Sequence, residues 1–197
     1  MKKVGVLAFQ GDVSEHLGLL NNLQAEAIPL RSVEALLNVD GLIIPGGEST
    51  TVGLLLKQSG LDKAIQKRAK EGMPVWGTCM GAILLAKTLV ANRVEQPVLG
   101  LIDISVRRNA FGRQKESFEA KIPIPTLKID DFPAVFIRAP WIETTGNGVE
   151  ILADFQGKTV LAKERNILVS AFHPEIAKDG RLHQFFLNFV RERGLSN

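Results

Sequence analysis

The strongest constraint on the fold is a short apolar strand that runs through a tight turn into a helix, at residues 74–86. The only cysteine of the chain, Cys79, lies at this turn, between Gly77 and Gly81. In a nucleophile elbow the strand and helix backbones nearly touch, so the positions two residues before and after the nucleophile must be small. Positive partial charge at a helix start also stabilises a thiolate. The pattern predicts that Cys79 is a nucleophile; the alternative is a small cysteine buried between sheet and helix.

The rest of the chain supplies the strands and helices that such a turn requires. The predicted early strands are residues 4–9, 28–31 and 41–44, and the predicted helices are 12–27, 52–58, 61–71 and a short one capped by Ser32. Strand-like segments then follow without helices, at 101–106, 117–124, 134–137, 149–154, 159–163 and 167–172, before a closing helix at 181–193. We therefore expect an α/β fold with a mostly parallel central sheet, covered on both faces, and antiparallel additions.

Composition excludes several classes of protein. A chain of 197 residues is expected to form one domain, residues 1–197. A lone cysteine excludes an internal disulfide and suits a reducing cytoplasm, and no apolar run approaches the length of a membrane span. The net charge is +3, and a basic segment at 107–115 could bind nucleic acid. That segment has few aromatic residues for base stacking, so neither a nucleic-acid nor a membrane partner is expected.

A base for Cys79 follows the last predicted core strand. His173 and Glu175 flank a proline, and side chains two positions apart on an extended chain point the same way. Glu175 can therefore reach one ring nitrogen of His173 and fix its tautomer, while the other nitrogen faces outward. The alternative is an idle, solvated pair, but the cysteine elbow upstream favours a catalytic one. His16 and His183 lie on predicted helices and are expected at the surface.

Adjacent glycines follow the predicted strand at 41–44. Gly46 and Gly47 leave backbone N–H groups free before a helix start, but the lysine of a Walker phosphate loop is absent. We therefore predict that the N–H of Gly47 forms half of an oxyanion hole and that the N–H of Met80 forms the other half. Ser49 lacks the flanking glycines of a nucleophile and is expected to cap the helix. Near the N-terminus, Asp12 is expected to cap a helix in a capping box.

Taken together, the three motifs resemble class I glutamine amidotransferase domains of the triad type: residues 77–81, 45–49 and 172–175. Further segments resemble a subfamily of that class, the glutaminase subunits of pyridoxal phosphate synthase. These segments are residues 6–12, 108–114 and 136–140, with Asp179 and Arg181. The resemblance covers nearly the whole chain.

The resemblance implies a flavodoxin-like, three-layer α/β sandwich that hydrolyses L-glutamine to L-glutamate and ammonia without a metal or an organic cofactor. It implies a triad of Cys79, His173 and Glu175. The ammonia would pass to a separate (β/α)₈-barrel synthase subunit in a large hetero-oligomer. It also implies that six residues contact glutamine: Gly47, Glu48, Ser49, Arg108, Ile137 and Arg138.

The charges of free glutamine agree with these assignments. Its α-carboxylate suits Arg108, and its α-ammonium suits Glu48. Arg138 offers a further donor, although it could equally be a surface strand residue. Gln10, at the end of the first strand, is predicted to sense a docked partner by hydrogen bonding near the oxyanion hole.

Three alternatives remain open from the sequence. The chain could serve another ammonia-using synthase as its glutaminase subunit. It could instead be a non-catalytic binding protein of the same fold, with Cys79 as a redox sensor. A metal site made of Cys79, His173 and Glu175 is a third alternative, but these residues lack the dense spacing of metal ligands.

Overall fold

The computed structural model describes residues 1–90, 96–108 and 117–192. The helices are α1 (Val13–Asn22), α2 (Val33–Leu37), α3 (Ser49–Ser59), α4 (Leu61–Lys70), α5 (Met80–Leu85) and α6 (Arg181–Glu192). The first strands are β1 (Lys3–Leu7), β2 (Glu26–Leu30), β3 (Gly41–Ile44), β4 (Val75–Thr78), β5 (Ala86–Val90) and β6 (Ile102–Arg107). The later strands are β7 (Ser117–Ile124), β8 (Ile129–Ile137), β9 (Trp141–Thr145), β10 (Glu150–Phe155), β11 (Lys158–Glu164) and β12 (Ile167–Ser170).

Five neighbouring strands form the parallel part of the main sheet, in the order β2-β1-β3-β4-β12. This is the strand order of a flavodoxin-like, doubly wound fold. Antiparallel pairing then extends the sheet from β12 through β11 and β9 to β6, while β5 pairs parallel with β6 and β10 pairs with β11. The predicted mostly parallel sheet with antiparallel additions is therefore confirmed.

Two apolar cores lie on the two faces of this sheet. On one face, α2, α3, α4 and α5 cover residues such as Leu42, Ile44 and Val75. On the other face, α1, α6 and the hairpin of β7 and β8 cover Ile43 and Trp76. Neighbouring residues of one strand thus enter opposite cores, as the alternation of side chains along a strand requires. Helices on both faces confirm the layered α/β arrangement.

Two strands were absent from the sequence-based prediction. β5 begins directly after the short helix α5, and β9 supplies the antiparallel link between β6 and β11. The helix α1 also ends at Asn22, well before the predicted end, because Gln24 adopts a φ of 58° and β2 begins at Glu26. The predicted cap of α2 is confirmed, since the Ser32 side chain accepts a hydrogen bond from the backbone of Ala35.

The carboxyl ends of four parallel strands converge on one edge of the sheet. The segments after β1, β3, β4 and β12 carry Gln10, Gly47, Cys79 and His173, respectively. In open α/β sheets the crevice at this edge is where ligands bind. The topology therefore brings together predicted site residues from distant parts of the chain.

Candidate active site

Cys79 lies on a strained turn between β4 and α5. Its backbone adopts φ 48° and ψ −101°, an uncommon conformation for a residue with a side chain. A Cβ atom at Gly77 would overlap the backbone of Gly81, and one at Gly81 would overlap the carbonyl oxygen of Ile44. The backbone N–H of Cys79 donates to the carbonyl of Ser170 at 2.8 Å, which ties the turn to β12. The glycines are therefore required by close backbone packing, as the elbow pattern predicts.

His173 is placed between Cys79 and Glu175. Its Nδ1 atom lies 2.8 Å from Oε1 of Glu175, and its ring is close enough to the side chain of Cys79 for the two to interact electrostatically. Burial alone lowers the pKa of His173, but hydrogen bonds and charge interactions with Cys79 and Glu175 outweigh burial and raise the pKa to about 10. A positively charged ring beside a sulfur stabilises a thiolate. The three predicted triad residues therefore lie in contact, in the order nucleophile, base and acid.

Gly46 allows the His173 ring to approach β3. A Cβ atom at Gly46 would overlap the ring carbon Cε1 and would lie 3.2 Å from Nδ1. Glycine at position 46 thus leaves room for the ring of the predicted base, directly before the predicted oxyanion donor Gly47.

Asp12 is the N-cap residue of α1, as the sequence predicts, but its side chain makes no capping hydrogen bond. Its Oδ2 atom instead lies 3.3 Å from Nδ1 of His173, so a second carboxylate faces the same ring nitrogen as Glu175. The capping-box prediction was wrong because the charge of the neighbouring histidine attracts the carboxylate away from the helix end.

Asp12, His173 and Glu175 also place three potential metal-ligand atoms within 4.8 Å of one another. This set differs from the metal alternative considered from the sequence, because Asp12 replaces Cys79. A metal would need the lone pair of Nδ1, but that nitrogen faces two carboxylates as a donor, and the raised pKa keeps the ring protonated at neutral pH. The donor set therefore fits a hydrogen-bonded imidazolium better than a metal ion.

The prediction that His16 and His183 lie at the surface was wrong. Both side chains are fully buried, and Nδ1 of His16 lies 2.9 Å from Nε2 of His183. The helices α1 and α6 bring them together behind the triad, where Nε2 of His16 lies 3.3 Å from Oε2 of Glu175. A histidine on an amphipathic helix can face either side, so the sequence alone did not decide between them.

A cleft of about 410 Å³ opens in front of Cys79. Its lining contains ten of the residues proposed from the sequence: Gln10, Gly47, Glu48, Ser49, Cys79, Met80, Arg108, Ile137, Arg138 and His173. Among the described residues, Gly11 and Ile83 also line the cleft. Glu175 is 1 % exposed and lies behind His173, as an orienting residue should. The structure thus gathers the predicted catalytic, oxyanion and substrate residues around one cavity.

The predicted oxyanion donors both lie beside this cleft. Gly47 has a φ of 148°, in the region that favours glycine, and Met80 is the first residue of α5. Gln10 reaches the same place, since its Oε1 atom accepts a hydrogen bond from the backbone N–H of Glu48 at 2.9 Å. Gln10 therefore holds the peptide that follows Gly47.

A buried glutamine that the sequence analysis did not single out connects several residues at the cleft. Oε1 of Gln96 accepts hydrogen bonds from Arg108 at 2.9 Å, Ser49 at 3.1 Å and Thr50 at 3.3 Å. Ser49 is the first residue of α3, after the N-cap position held by Glu48, so its hydroxyl binds Gln96 instead of capping the helix. No motif around Gln96 signals this role, because its partners come from distant segments.

The remaining predicted substrate residues, Ile137 and Arg138, also line the cleft. Nη2 of Arg138 lies 4.0 Å from Oε1 of Glu48, and Arg138 adopts a φ of 42° just after β8. The sulfur of Cys79 lies 3.9 Å from the carbonyl oxygen of Ile137.

Residues 109–116, which include most of the subfamily-like segment 108–114 and of the basic segment 107–115, lie outside the described residues.

Comparison with known proteins gives the class to which this site belongs. A model of the SNO glutamine amidotransferase family matches residues 6–192. The chain belongs to the SNO glutamine amidotransferase family. A crystal structure of a glutamine amidotransferase superposes with a TM-score of 0.90 at 47% identity, and the match covers 95% of this chain and 98% of that one.

Particular relatives carry a more specific description. The chain is 52% identical over 190 residues to the pyridoxal 5'-phosphate synthase subunit PdxT of Dehalococcoides mccartyi strain CBDB1, which covers 96% of this chain and 97% of that protein. The protein of the same description from Herpetosiphon aurantiacus is 53% identical over 186 residues, covering 93% and 98%, respectively. Within the described ranges, no helix combines the length and the apolar character that a membrane crossing needs.

Proposed function

We propose that this protein is the glutaminase subunit of pyridoxal 5'-phosphate synthase. As such it hydrolyses L-glutamine to L-glutamate and ammonia and supplies the ammonia to a synthase subunit. The observation that carries this proposal is the contact of Cys79, on a strained elbow, with a His173 ring that Glu175 orients. The relatives at about half identity over nearly their full length support the choice of synthase.

The geometry supports a thioester mechanism. The sulfur of Cys79 attacks the side-chain amide carbon of glutamine, and the backbone N–H groups of Gly47 and Met80 stabilise the tetrahedral oxyanion. Each such donor contributes roughly 3–4 kcal/mol in comparable sites. His173 then gives a proton to the departing ammonia and activates the water that hydrolyses the γ-glutamyl thioester. Glu175 holds the His173 ring in one tautomer through both steps.

Charged groups at the cleft fit the two charges of free glutamine. Arg108, held by Gln96, would bind the α-carboxylate as a planar, bidentate donor. Glu48 would accept from the α-ammonium group. Its present partner, Arg138, is 4.0 Å away, and both side chains are more than half exposed, so the substrate can displace this ion pair at low cost. Ser49 and the carbonyl of Ile137 complete the proposed substrate contacts.

A separate synthase subunit completes the proposed enzyme. We propose a (β/α)₈-barrel partner in a large hetero-oligomer. We also propose a cytoplasmic location, because a single free cysteine suits a reducing compartment. Gln10 is proposed to respond to docking, since it already binds the peptide after Gly47. The Gly47 donor belongs to the preceding peptide, between Gly46 and Gly47. A rotation of this preceding peptide would turn the donor toward or away from the oxyanion, and glycine permits such a rotation at little steric cost.

Ammonia release from glutamine, measured with and without the synthase subunit, tests this function. We expect hydrolysis to rise by at least about tenfold with saturating synthase, the scale of gaining part of one oxyanion donor. Pyridoxal 5'-phosphate should form with glutamine as the only nitrogen source, which distinguishes this synthase from another ammonia-using partner. Equal rates of ammonia release with and without the synthase would contradict the proposed coupling.

A further inference from the structure

Two buried histidines lie directly behind the triad and take no part in the mechanism described above. His16 on α1 and His183 on α6 are both fully buried, and their nearest ring nitrogens are 2.9 Å apart. The other ring nitrogen of His16, Nε2, lies 3.3 Å from Oε2 of Glu175. Glu175 in turn contacts His173 through its other oxygen, Oε1, at 2.8 Å. The four side chains thus form a continuous polar row that ends at the catalytic base.

The protons along this row can be assigned from the needs of the carboxylate. Burial raises the pKa of Glu175, whereas the hydrogen bond and the charge of His173 favour its ionised form. When Glu175 is ionised it only accepts hydrogen bonds, so the facing Nε2 atom of His16 carries a proton. Nδ1 of a neutral His16 is then an acceptor, and it faces Nε2 of His183 as the donor. This assignment leaves Nδ1 of His183 as a bare acceptor, and that atom has no hydrogen-bond partner within the described part of the chain.

Both rings are held neutral and in fixed positions, as this assignment requires. Burial lowers the pKa of His16 well below its usual value, and burial lowers the pKa of His183 to about 4. Trp76, on the strand that leads to the elbow, packs edge-on against both rings, with centroids 6.0 Å from His16 and 4.9 Å from His183. The pair is therefore packed against the element that carries Cys79.

Oε2 of Glu175 is the atom that needs such a partner. This oxygen is buried and has no hydrogen-bond partner among the described residues. Its 3.3 Å contact with Nε2 of His16 is therefore the interaction that can hold it in place. A buried carboxylate oxygen without any donor is costly, and a carboxylate that rotates to find another donor loses its alignment with His173. Thr78, whose hydroxyl lies 3.4 Å from the same nitrogen of His16, is the neighbouring polar group.

We infer that His16, itself held by His183, is a positioning residue that fixes the Glu175 carboxylate with Oε1 toward His173. This inference rests on the proposed glutaminase function. It assigns to the histidine pair a role in the rate of the chemical steps and none in the binding of glutamine, because neither ring lines the cleft.

A pair of substitutions at His16 tests this role in the complex with the synthase subunit. His16→Leu removes the donor and keeps an apolar side chain, whereas His16→Gln places an amide N–H near the position of Nε2. We expect His16→Leu to lower kcat about tenfold or more, by analogy with the loss seen when hydrogen-bond partners of metal-binding histidines are removed. KM should change less than about twofold. His16→Gln should regain most of that loss. Labelling of Cys79 by an electrophilic glutamine analogue should slow and recover in parallel.

A matched control separates positioning from packing. Leu20 is fully buried on the same helix, one turn after His16, and its apolar side chain belongs to the core on that face of the sheet. Leu20→Val should lower the melting temperature and leave kcat unchanged. A His16→Leu protein with wild-type kcat, or a His16→Gln protein of equal thermal stability and no better kcat, would overturn the inference. If His16→Leu does not fold, His183→Leu and His183→Gln decide the question by the same criteria.

The controls also separate this inference from the function on which it rests. A wild-type complex that releases no ammonia from glutamine would refute the proposed function itself. A wild-type complex that does so, at a rate that all four histidine variants share, would refute only the positioning role.

Discussion

The contact of Gly46 with the catalytic base makes a sharp prediction about a single methyl group. In Gly46→Ala, the new Cβ atom would approach Cε1 of His173 to a distance about 1 Å shorter than ordinary van der Waals contact. The backbone of Gly46 does not need a positive φ, so alanine introduces no backbone strain there. The ring must therefore retreat by about 1 Å from a position between Cys79 and Glu175. A misplacement of this size costs about 100-fold in rate, which corresponds to about 2.7 kcal/mol of activation free energy.

Steady-state ammonia release in the presence of the synthase subunit measures this effect. We expect kcat to fall about 100-fold, on the scale of that misplacement. KM should change little, because the displaced ring acts in the chemical steps and the proposed contacts with glutamine are made by other residues. Gly18→Ala is the matched control. Gly18 is exposed on α1 and a Cβ atom there meets nothing within 4 Å, so this variant should keep full activity. A Gly46→Ala protein that melts like the wild type and retains kcat within about threefold would refute the reasoning.

Further predictions concern substrate binding and stability. Arg108→Ala should raise the KM for glutamine far more than it lowers kcat, because a carboxylate clamp acts on ground and transition states alike; a fall in kcat at constant KM would place Arg108 elsewhere. Gln96→Leu should also raise KM, since Gln96 accepts the hydrogen bond that positions Arg108. Urea unfolding as a function of pH should show stability falling from about pH 6.5 toward pH 4, by roughly 3 kcal/mol for His183 alone, because the unfolded chain binds the proton that the buried ring refuses. The contribution of His173 to stability changes with pH in the opposite direction. Because its pKa is raised to about 10, this contribution is complete below about pH 6.5 and is lost as pH rises through 10. A flat profile between pH 6.5 and 4 would contradict the buried, neutral state of His183.

Local sequence patterns predicted the parts of the site that depend on local geometry. The elbow around Cys79 needs small residues at fixed positions, and His173 and Glu175 need only an extended chain to point the same way. The strand-to-helix alternation before the elbow likewise follows from apolar periodicity. These features were recognisable because their physical requirements fall within a few consecutive residues.

The features that the sequence did not disclose depend on contacts between distant segments. His16 and His183 are 167 positions apart, and only the packing of α1 beside α6 makes them a buried pair. Gln96 accepts hydrogen bonds from Arg108 and from residues near position 50. The carboxylate of Asp12 contacts the His173 ring, which is remote in sequence, instead of capping α1. The contacts of such side chains depend on charge and burial in the folded protein, so local propensity did not determine their partners.

The most direct test of the proposed mechanism is mass spectrometry of the protein after reaction with a glutamine analogue that carries an electrophilic side-chain carbon. We expect one label per chain, located on Cys79, and no label on a Cys79→Ser variant that folds like the wild type and releases no ammonia. The sole thiol of the chain, its elbow conformation and its contact with His173 all require this result. A label on any other residue, or undiminished ammonia release by Cys79→Ser, would contradict the assignment of Cys79 as the nucleophile.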